Sequence, residues 1–279
     1  MAQIIGGLTT SHVPAIGRAI AKQLQHEPYW KPFFDGYAPV HRWLAQARPD
    51  VVVVFYNDHG LNFFLDKMPT FAVGAAPNYR NADEGWGLPQ VPPFQGEQGL
   101  SWHLIDALTA EDFDLTTCQE MVVDHAFTLP MALLWPEQQW PVKVVPVCIN
   151  TVQFPLPSAR RCYALGEAVG RAIASWDGAQ RVMVMGTGGL SHQLDGERAG
   201  FINRDFDLQF MESLVHDPQW ATQFNTHELV EKAGTQGVEL LMWLATRGAL
   251  GAKVREVHRN YHIPISNTAS GLMLFEPVA

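Results

Sequence analysis

Six consecutive apolar residues, Val51–Tyr56 (VVVVFY), constrain this chain more than any other segment. Branched side chains pack well on a pleated surface and lose rotamer freedom in a helix, so the run reads as a buried strand. It stops at the polar turn Asn57-Asp58-His59-Gly60. Residues 4–8, 70–73 and 181–185 read as further strands, the last running into Gly186-Thr187-Gly188-Gly189, and 272–275 as the final one. Residues 142–147 also read as a strand, and Pro146 predicts an edge or irregular position for it, because proline brings no N–H to a ladder. Helical spacing marks 33–48 (closed by Pro49), 100–110, 158–175 (with Pro157 before its first turn), 203–215 and 237–247. Residues 78–99, rich in Gly, Pro and acid, read as a long surface loop. Strands alternating with helices predict an α/β fold, a single domain over 1–279 with a central mostly parallel or mixed sheet flanked by helices.

The totals exclude several classes. With 19 Lys+Arg against 28 Asp+Glu, the net charge of −9 argues against a nucleic-acid partner, which calls for a basic face. One or two local cations suffice for an anionic small molecule. No apolar run approaches the ~20 residues that span a bilayer, and the N-terminus shows no basic leader before an apolar stretch. Cys118, Cys148 and Cys162 form no C-x-x-C pair, which predicts a reduced, cytoplasmic protein.

Chemistry concentrates where apolar strands end. His12 follows the first strand, His59 follows VVVVFY and His192 follows VMVMGTGGL. In open α/β sheets ligands gather at the carboxyl ends of strands, so three such histidines can converge. His26, His41, His103, His216, His227, His258 and His262 read as structural. Glu239 lies in GVELLMWLATRG among Val238, Leu240, Leu241, Trp243 and Leu244. A carboxylate in such surroundings is costly unless a cation pairs with it; the alternative is an exposed position on an otherwise buried helix. Two imidazoles and one carboxylate on one face of a metal, with the other positions open, is the arrangement of non-haem Fe(II) oxygenases. The spacing of residues 12, 59 and 239 is not a local motif and does not by itself establish that set.

Longer segments carry a resemblance. They are SHVPAIG around His12, PDVVVVFYNDH ending at His59, ADEGWG at 82–87, VDHAFTLP around His125 and QFPLPSARRCYALG at 153–166. GTGGLSHQLDGERAGFIN around His192, GVELLMWLATRGAL around Glu239 and YHIPISNTASG near the end complete the set. The chain resembles the class III extradiol dioxygenases, most of all the catalytic β subunits of the protocatechuate 4,5-cleaving group, with the gallate-cleaving group close by. The resemblance implies Fe(2+) held by His12, His59 and Glu239, His192 as acid/base, and His125 as a second pocket histidine. It implies substrate contacts at Asn57 and Ser266, where SNTA at 266–269 looks more like the protocatechuate group. A small aromatic acid and O2 are the implied substrates. Gallate, 3-O-methylgallate or an aminophenol are the alternatives on the same scaffold, and a metal-binding non-catalytic homologue or a zinc hydrolase are the rivals outside it. Gallate-cleaving relatives continue into a domain resembling a small α subunit, whereas this sequence ends at Ala279, so the resemblance implies a separate α chain or a homo-oligomer.

Overall fold

The structure is a computed structural model describing residues 1–85 and 87–278, with Pro264 described in its backbone alone; Trp86 of the ADEGWG segment and Ala279 lie outside the described residues. The strands are β1 (Gln3–Thr10), β2 (Val51–Tyr56), β3 (Phe71–Gly74), β4 (Asn78–Asn81), β5 (Phe94–Gln95), β6 (Thr116–Cys118), β7 (Val122–Val123), β8 (Lys143–Ile149), β9 (Arg181–Thr187), β10 (Val254–Ile265) and β11 (Thr268–Pro277). The helices are α1 (Pro14–Ala21), α2 (Lys31–Asp35), α3 (Ala38–Ala47), α4 (Gln98–Ala110), α5 (His125–Leu134), α6 (Ala159–Ser175), α7 (Arg204–His216), α8 (Thr226–Ala233) and α9 (Leu240–Ala249). Eight strands form one sheet in the order β10-β11-β1-β9-β2-β8-β3-β6, and β4, β5 and β7 form a small second one.

The middle of the large sheet, β1-β9-β2-β8, is parallel, while β3 and β11 run antiparallel to its two outer members. The expected mixed α/β architecture is therefore present. Strand alternation sorts the buried residues into two cores. Val51, Val53 and Phe55 of β2 face one core with Val145, Val147, Val182 and Val184. Val52, Val54 and Tyr56 face the other with Val144, Met183 and Met185. Each such side chain, taken fully out of water, contributes about 1.5–3 kcal/mol. This explains why VVVVFY is apolar throughout: β2 is covered on both faces.

Three local expectations are corrected. The strand carrying Pro146 lies inside the sheet, with β2 on one side and β3 on the other. The N–H of Lys143 goes to Asp50 on the β2 side, so alternation turns the missing N–H of Pro146 away from β2. There the β3 pairing extends only over Val147–Ile149, just past the proline. Residues 33–48 fall in two helices, because Pro39 brings no N–H to the first turn of α3, and Arg48 closes α3 with φ 48°. Residues 78–99 contain β4, β5 and the start of α4, and bury Tyr79 and Phe94 completely.

α9 is set against α6 by close backbone contact. A Cβ on Gly166 would lie 1.9 Å from the Ala245 carbonyl oxygen, and one on Gly248 2.3 Å from that of Tyr163. Because Glu239 immediately precedes α9, this contact also fixes where its carboxylate falls. Gly166→Ala is expected to wedge the two helices apart and lower the unfolding free energy by about 1–3 kcal/mol. Urea titration would show this as a lower midpoint with an unchanged slope.

Candidate metal centre

The carboxyl ends of the parallel strands supply the site. β1 ends at Thr10, and Ser11 locks the following turn by bonding to the Gly189 carbonyl and accepting the Gly271 N–H at 3.0 Å. This holds His12, 4 % exposed, beside β9, where its Nδ1 lies 3.2 Å from the Thr187 hydroxyl. After β2, the Asp58 carboxylate accepts the N–H groups of Gly60, Leu61, Asn62 and Phe63 at 3.0–3.1 Å, winding the turn around itself. His59 is thereby held with its side chain 29 % exposed, the most open of the grouped imidazoles. Asp124 accepts both its Nδ1–H at 2.9 Å and its backbone N–H at 2.8 Å, while also capping α5 at Ala126.

Glu239 sits in a 3-10 turn, Gly237–Glu239, that runs into α9. It is 5 % exposed, which removes the alternative of a solvent-facing helix position. Its Oε2 accepts the Gly189 N–H at 3.1 Å, and its Oε1 accepts from Asn57 Nδ2 at 3.4 Å. Gly188 must be glycine here: its φ is +102°, and a Cβ would come within 2.7 Å of Glu239 Cβ.

His12 Nε2 lies 3.3 Å from Glu239 Oε2, and His59 Nε2 lies 3.5 Å from Oε1. His192 Nε2 stands 3.8 Å from Oε2, with its Nδ1–H donated to the Leu190 carbonyl at 2.8 Å. His125 stacks on His59 with ring centroids 4.2 Å apart, and its Nδ1 is 2.5 Å from Glu84 Oε2. Four of the histidines singled out in the sequence, with Glu239 and Asn57, are therefore one group. Ser266 stands apart on the exposed β10–β11 turn, with φ +56° and its N–H donated to the Tyr29 hydroxyl. That turn borders the group, since Thr268 pairs with His192. His41, His103 and His258 each place a ring nitrogen on a backbone carbonyl, as structural histidines do.

A proton on Nδ1 leaves the neutral ring's Nε2 as an acceptor. For His59, whose Nδ1–H goes to Asp124, that lone pair faces Glu239 Oε1 at 3.5 Å, an arrangement that repels unless positive charge lies between them; for His12 the Thr187 hydroxyl fits either tautomer. Ionisation follows the same logic. Burial would raise the Glu239 carboxyl, but His12, His59 and His192 outweigh it and hold it well below its usual range. Burial would lower His59, but Asp124 and Glu239 hold it well above its usual value. Asp124 is pulled to about 2, its burial outweighed by His59. His12 is lowered by burial against the pull of Glu239. The donor set thus fits a divalent cation. The nitrogens of His12, His59 and His125 lie within 4.8 Å of one another and could also hold an ion. Adjacent ligands on an ion with bonds of about 2.1 Å sit roughly 3 Å apart, and Glu239 lies 3.3 and 3.5 Å from His12 and His59 Nε2. Asn57 is 1 % exposed and its Oδ1 is buried without a protein partner. A groove of about 570 Å³ at the amino ends of β2, β8 and β9, lined by Asp50, Pro141 and Arg181, lies at the opposite edge of the sheet.

Residues 6–271 match the family described as the catalytic LigB subunit of aromatic ring-opening dioxygenase, and the chain belongs to that family. It is 41 % identical over 194 residues to gallate dioxygenase of Pseudomonas putida, a match spanning 69 % of this chain and 57 % of that relative. It is 30 % identical over 296 residues to 2,3-dihydroxyphenylpropionate/2,3-dihydroxicinnamic acid 1,2-dioxygenase of Xanthobacter autotrophicus, covering 86 % of this chain and 92 % of the relative. An uncharacterized protein of Escherichia coli K12 shares the fold, with a TM-score of 0.53 at 13 % identity over 97 % of this chain and 99 % of that one.

Glu84, Asp124 and Thr187, which hold the three imidazoles, were not singled out in the sequence; Glu84 and Asp124 fall in the ADEGWG and VDH segments. Behind His192, Ser191 donates its N–H and hydroxyl to Asp207 at 2.9 and 2.6 Å, and the Tyr261 hydroxyl donates at 2.9 Å. Burial raises the Asp207 carboxyl to about 6 from an ordinary 3.8, so its stabilising contribution is complete below pH 3.8 and lost as pH rises through about 6. Relative to Asp207→Asn, the wild type is expected to lose about 2 kcal/mol of stability between pH 4 and pH 7. Denaturant midpoints of both proteins across that range would show it.

Proposed function

We propose that the protein is an Fe(II)-dependent extradiol dioxygenase that opens the ring of a carboxylated catechol such as protocatechuate, giving a carboxy-hydroxymuconate semialdehyde that carries both atoms of O2. His12, His59 and Glu239 are the metal ligands in this reading. The observation that carries it is the convergence of His12 and His59 Nε2 on one buried carboxylate, at 3.3 and 3.5 Å, with a further imidazole, His192, alongside. Family membership supports the same reaction class. Two imidazoles and one carboxylate would hold the ion from one side and leave its other side open to substrate.

Bound there, ferrous ion supplies Lewis acidity toward the catechol hydroxyls and an electron path between ring and O2. The chain's own residues handle protons and orientation. His192, with Nδ1–H committed to Leu190, offers Nε2 as the base for a catechol hydroxyl proton. An imidazole can return that proton within the same turnover, because its ordinary pKa lies near ~6.5. Asn57 Oδ1, buried without a protein partner, would accept a hydrogen bond from substrate. Ser266, on the bordering turn, would meet the ring carboxylate. The gallate dioxygenase relative, at 41 % identity, favours gallate as the second reading.

Phe64, Leu65, Val152, Phe154 and Leu194 expose large apolar surface on loops that leave the site's edge of the sheet, and Ile263 does so near the end of β10. Such a rim supports a covering subunit, either a small α chain or a second copy of this chain. Among the described residues no helix is long and apolar enough to cross a membrane. All three cysteines are free and buried, which supports a reducing, cytoplasmic setting.

Anaerobic loading with Fe(II), followed by O2 uptake and a yellow ring-fission product from protocatechuate or gallate, tests the reading; intact protein that binds iron and consumes no O2 with either would end it. His192→Phe is expected to keep its iron and lose ~10²–10⁴ in turnover. His12→Ala is expected to lose the iron itself, as read by metal analysis after desalting.

A further inference from the structure

The reaction as proposed assigns no role to Glu84, yet its side chain is 8 % exposed and spends both oxygens on one residue. Oε2 lies 2.5 Å from His125 Nδ1, and Oε1 accepts the His125 backbone N–H at 2.7 Å. His125 opens α5, so this N–H is one of the helix's otherwise unpaired first-turn donors. The grip is therefore on main chain and ring together, and it fixes both where the imidazole sits and how it is turned.

Glu84 comes from a different part of the chain. It stands on a loop whose neck is closed by Asn81 and Val91, the amide donating to the Val91 carbonyl at 2.8 Å and accepting the Val91 N–H at 2.9 Å. Gly85 and Gly87 turn this loop with φ +65° and +68°. A cavity of about 150 Å³ lined by Asn81, Asp83, Glu84, Gln90 and Thr128 lies on the loop's inner side.

We propose that Glu84 is a positioning residue for ring opening: it holds His125 in the Nδ1–H form, so that Nε2 faces the substrate as an acceptor. A carboxylate can only accept from Nδ1, so the opposite tautomer would break the bond. With Nε2 unprotonated, His125 can take a hydrogen bond from a substrate hydroxyl; turned over, it would present a donor instead. The pairing parallels that of Asp124 with His59, but it acts on an imidazole outside the proposed ligand set. The assignment of a reaction rests on the function proposed above, whereas the tautomer does not.

The test uses Glu84→Ala and Glu84→Gln. In metal-free protein labelled with ¹⁵N-histidine, in alkaline buffer, long-range ¹H–¹⁵N spectra distinguish the two tautomers, with the His125 signal assigned by its loss in His125→Asn. Wild type is expected to show His125 as Nδ1–H, and Glu84→Ala a mixture containing Nε2–H. Glu84→Gln keeps one acceptor oxygen for two N–H donors, so its NH2 can face Nδ1, and it is expected to populate Nε2–H as well. In iron-loaded enzyme, Glu84→Ala should lose about tenfold or more in kcat at unchanged iron content, and Glu84→Gln should lose kcat in step with its Nε2–H fraction. If Glu84→Ala fails to fold, the tautomer of wild type and Glu84→Gln decides. An Nε2–H signal in wild type overturns the proposal. So does a Glu84→Ala protein that melts lower but keeps both the tautomer and kcat. If no catechol is cleaved by wild type, the proposed reaction falls while the spectra still report on Glu84.

Discussion

Glu239 presents its two oxygens to the Nε2 atoms of His12 and His59, and the one proton of a neutral His59 is already committed to Asp124. Lone pairs meeting lone pairs inside protein are unstable, and both routes out of that situation at His59 introduce positive charge. Protonating His59 is one route, and its raised basicity shows how strongly the surroundings favour it. A divalent ion is the other, and it can satisfy His12, His59 and Glu239 together. The outer partners serve this same end. Asp124 orients one ring, Thr187 lies beside another, and the Gly189 N–H turns the carboxylate inward. Replacing any one of them would change the direction of a lone pair rather than remove a donor.

The sheet explains why these groups meet. Parallel pairing of β1, β9, β2 and β8 brings their carboxyl ends to one edge, so turns far apart in sequence become neighbours. Glu239 arrives from the helical layer instead, through the tight contact of α9 with α6. Two kinds of packing therefore have to agree: strand register for the imidazoles, and helix seating for the carboxylate.

What could be read in advance was local. VVVVFY announces a strand because its chemistry permits little else, and the Asn-Asp-His turn follows from the strand's end. His12, His59 and His192 could be grouped because each follows an apolar run. Glu239 was legible through the oil around it together with the family segments, since its distance in sequence from the histidines carries no pattern. Glu84 and Asp124 were not legible as partners, because which ring a carboxylate meets is decided by tertiary packing. Pro146 misled for a related reason. The rule that prolines avoid inner strands assumes a neighbour along the whole strand, and β3 is too short to present one.

β11 reaches back to the beginning of the chain. It pairs with β1 along Gly7–Thr10, ties Gly271 to Ser11 across 260 positions, and bonds Ala269 to the loop before His192. A ribosome thus releases His12 and His59 long before the strand that braces them exists. Contacts of such separation form late, since the loop they close is nearly the whole molecule. Until that hairpin is synthesised and docked, the nascent chain carries loose imidazoles and no finished cage. The proposed metal cage would accordingly exist only once β11 has docked.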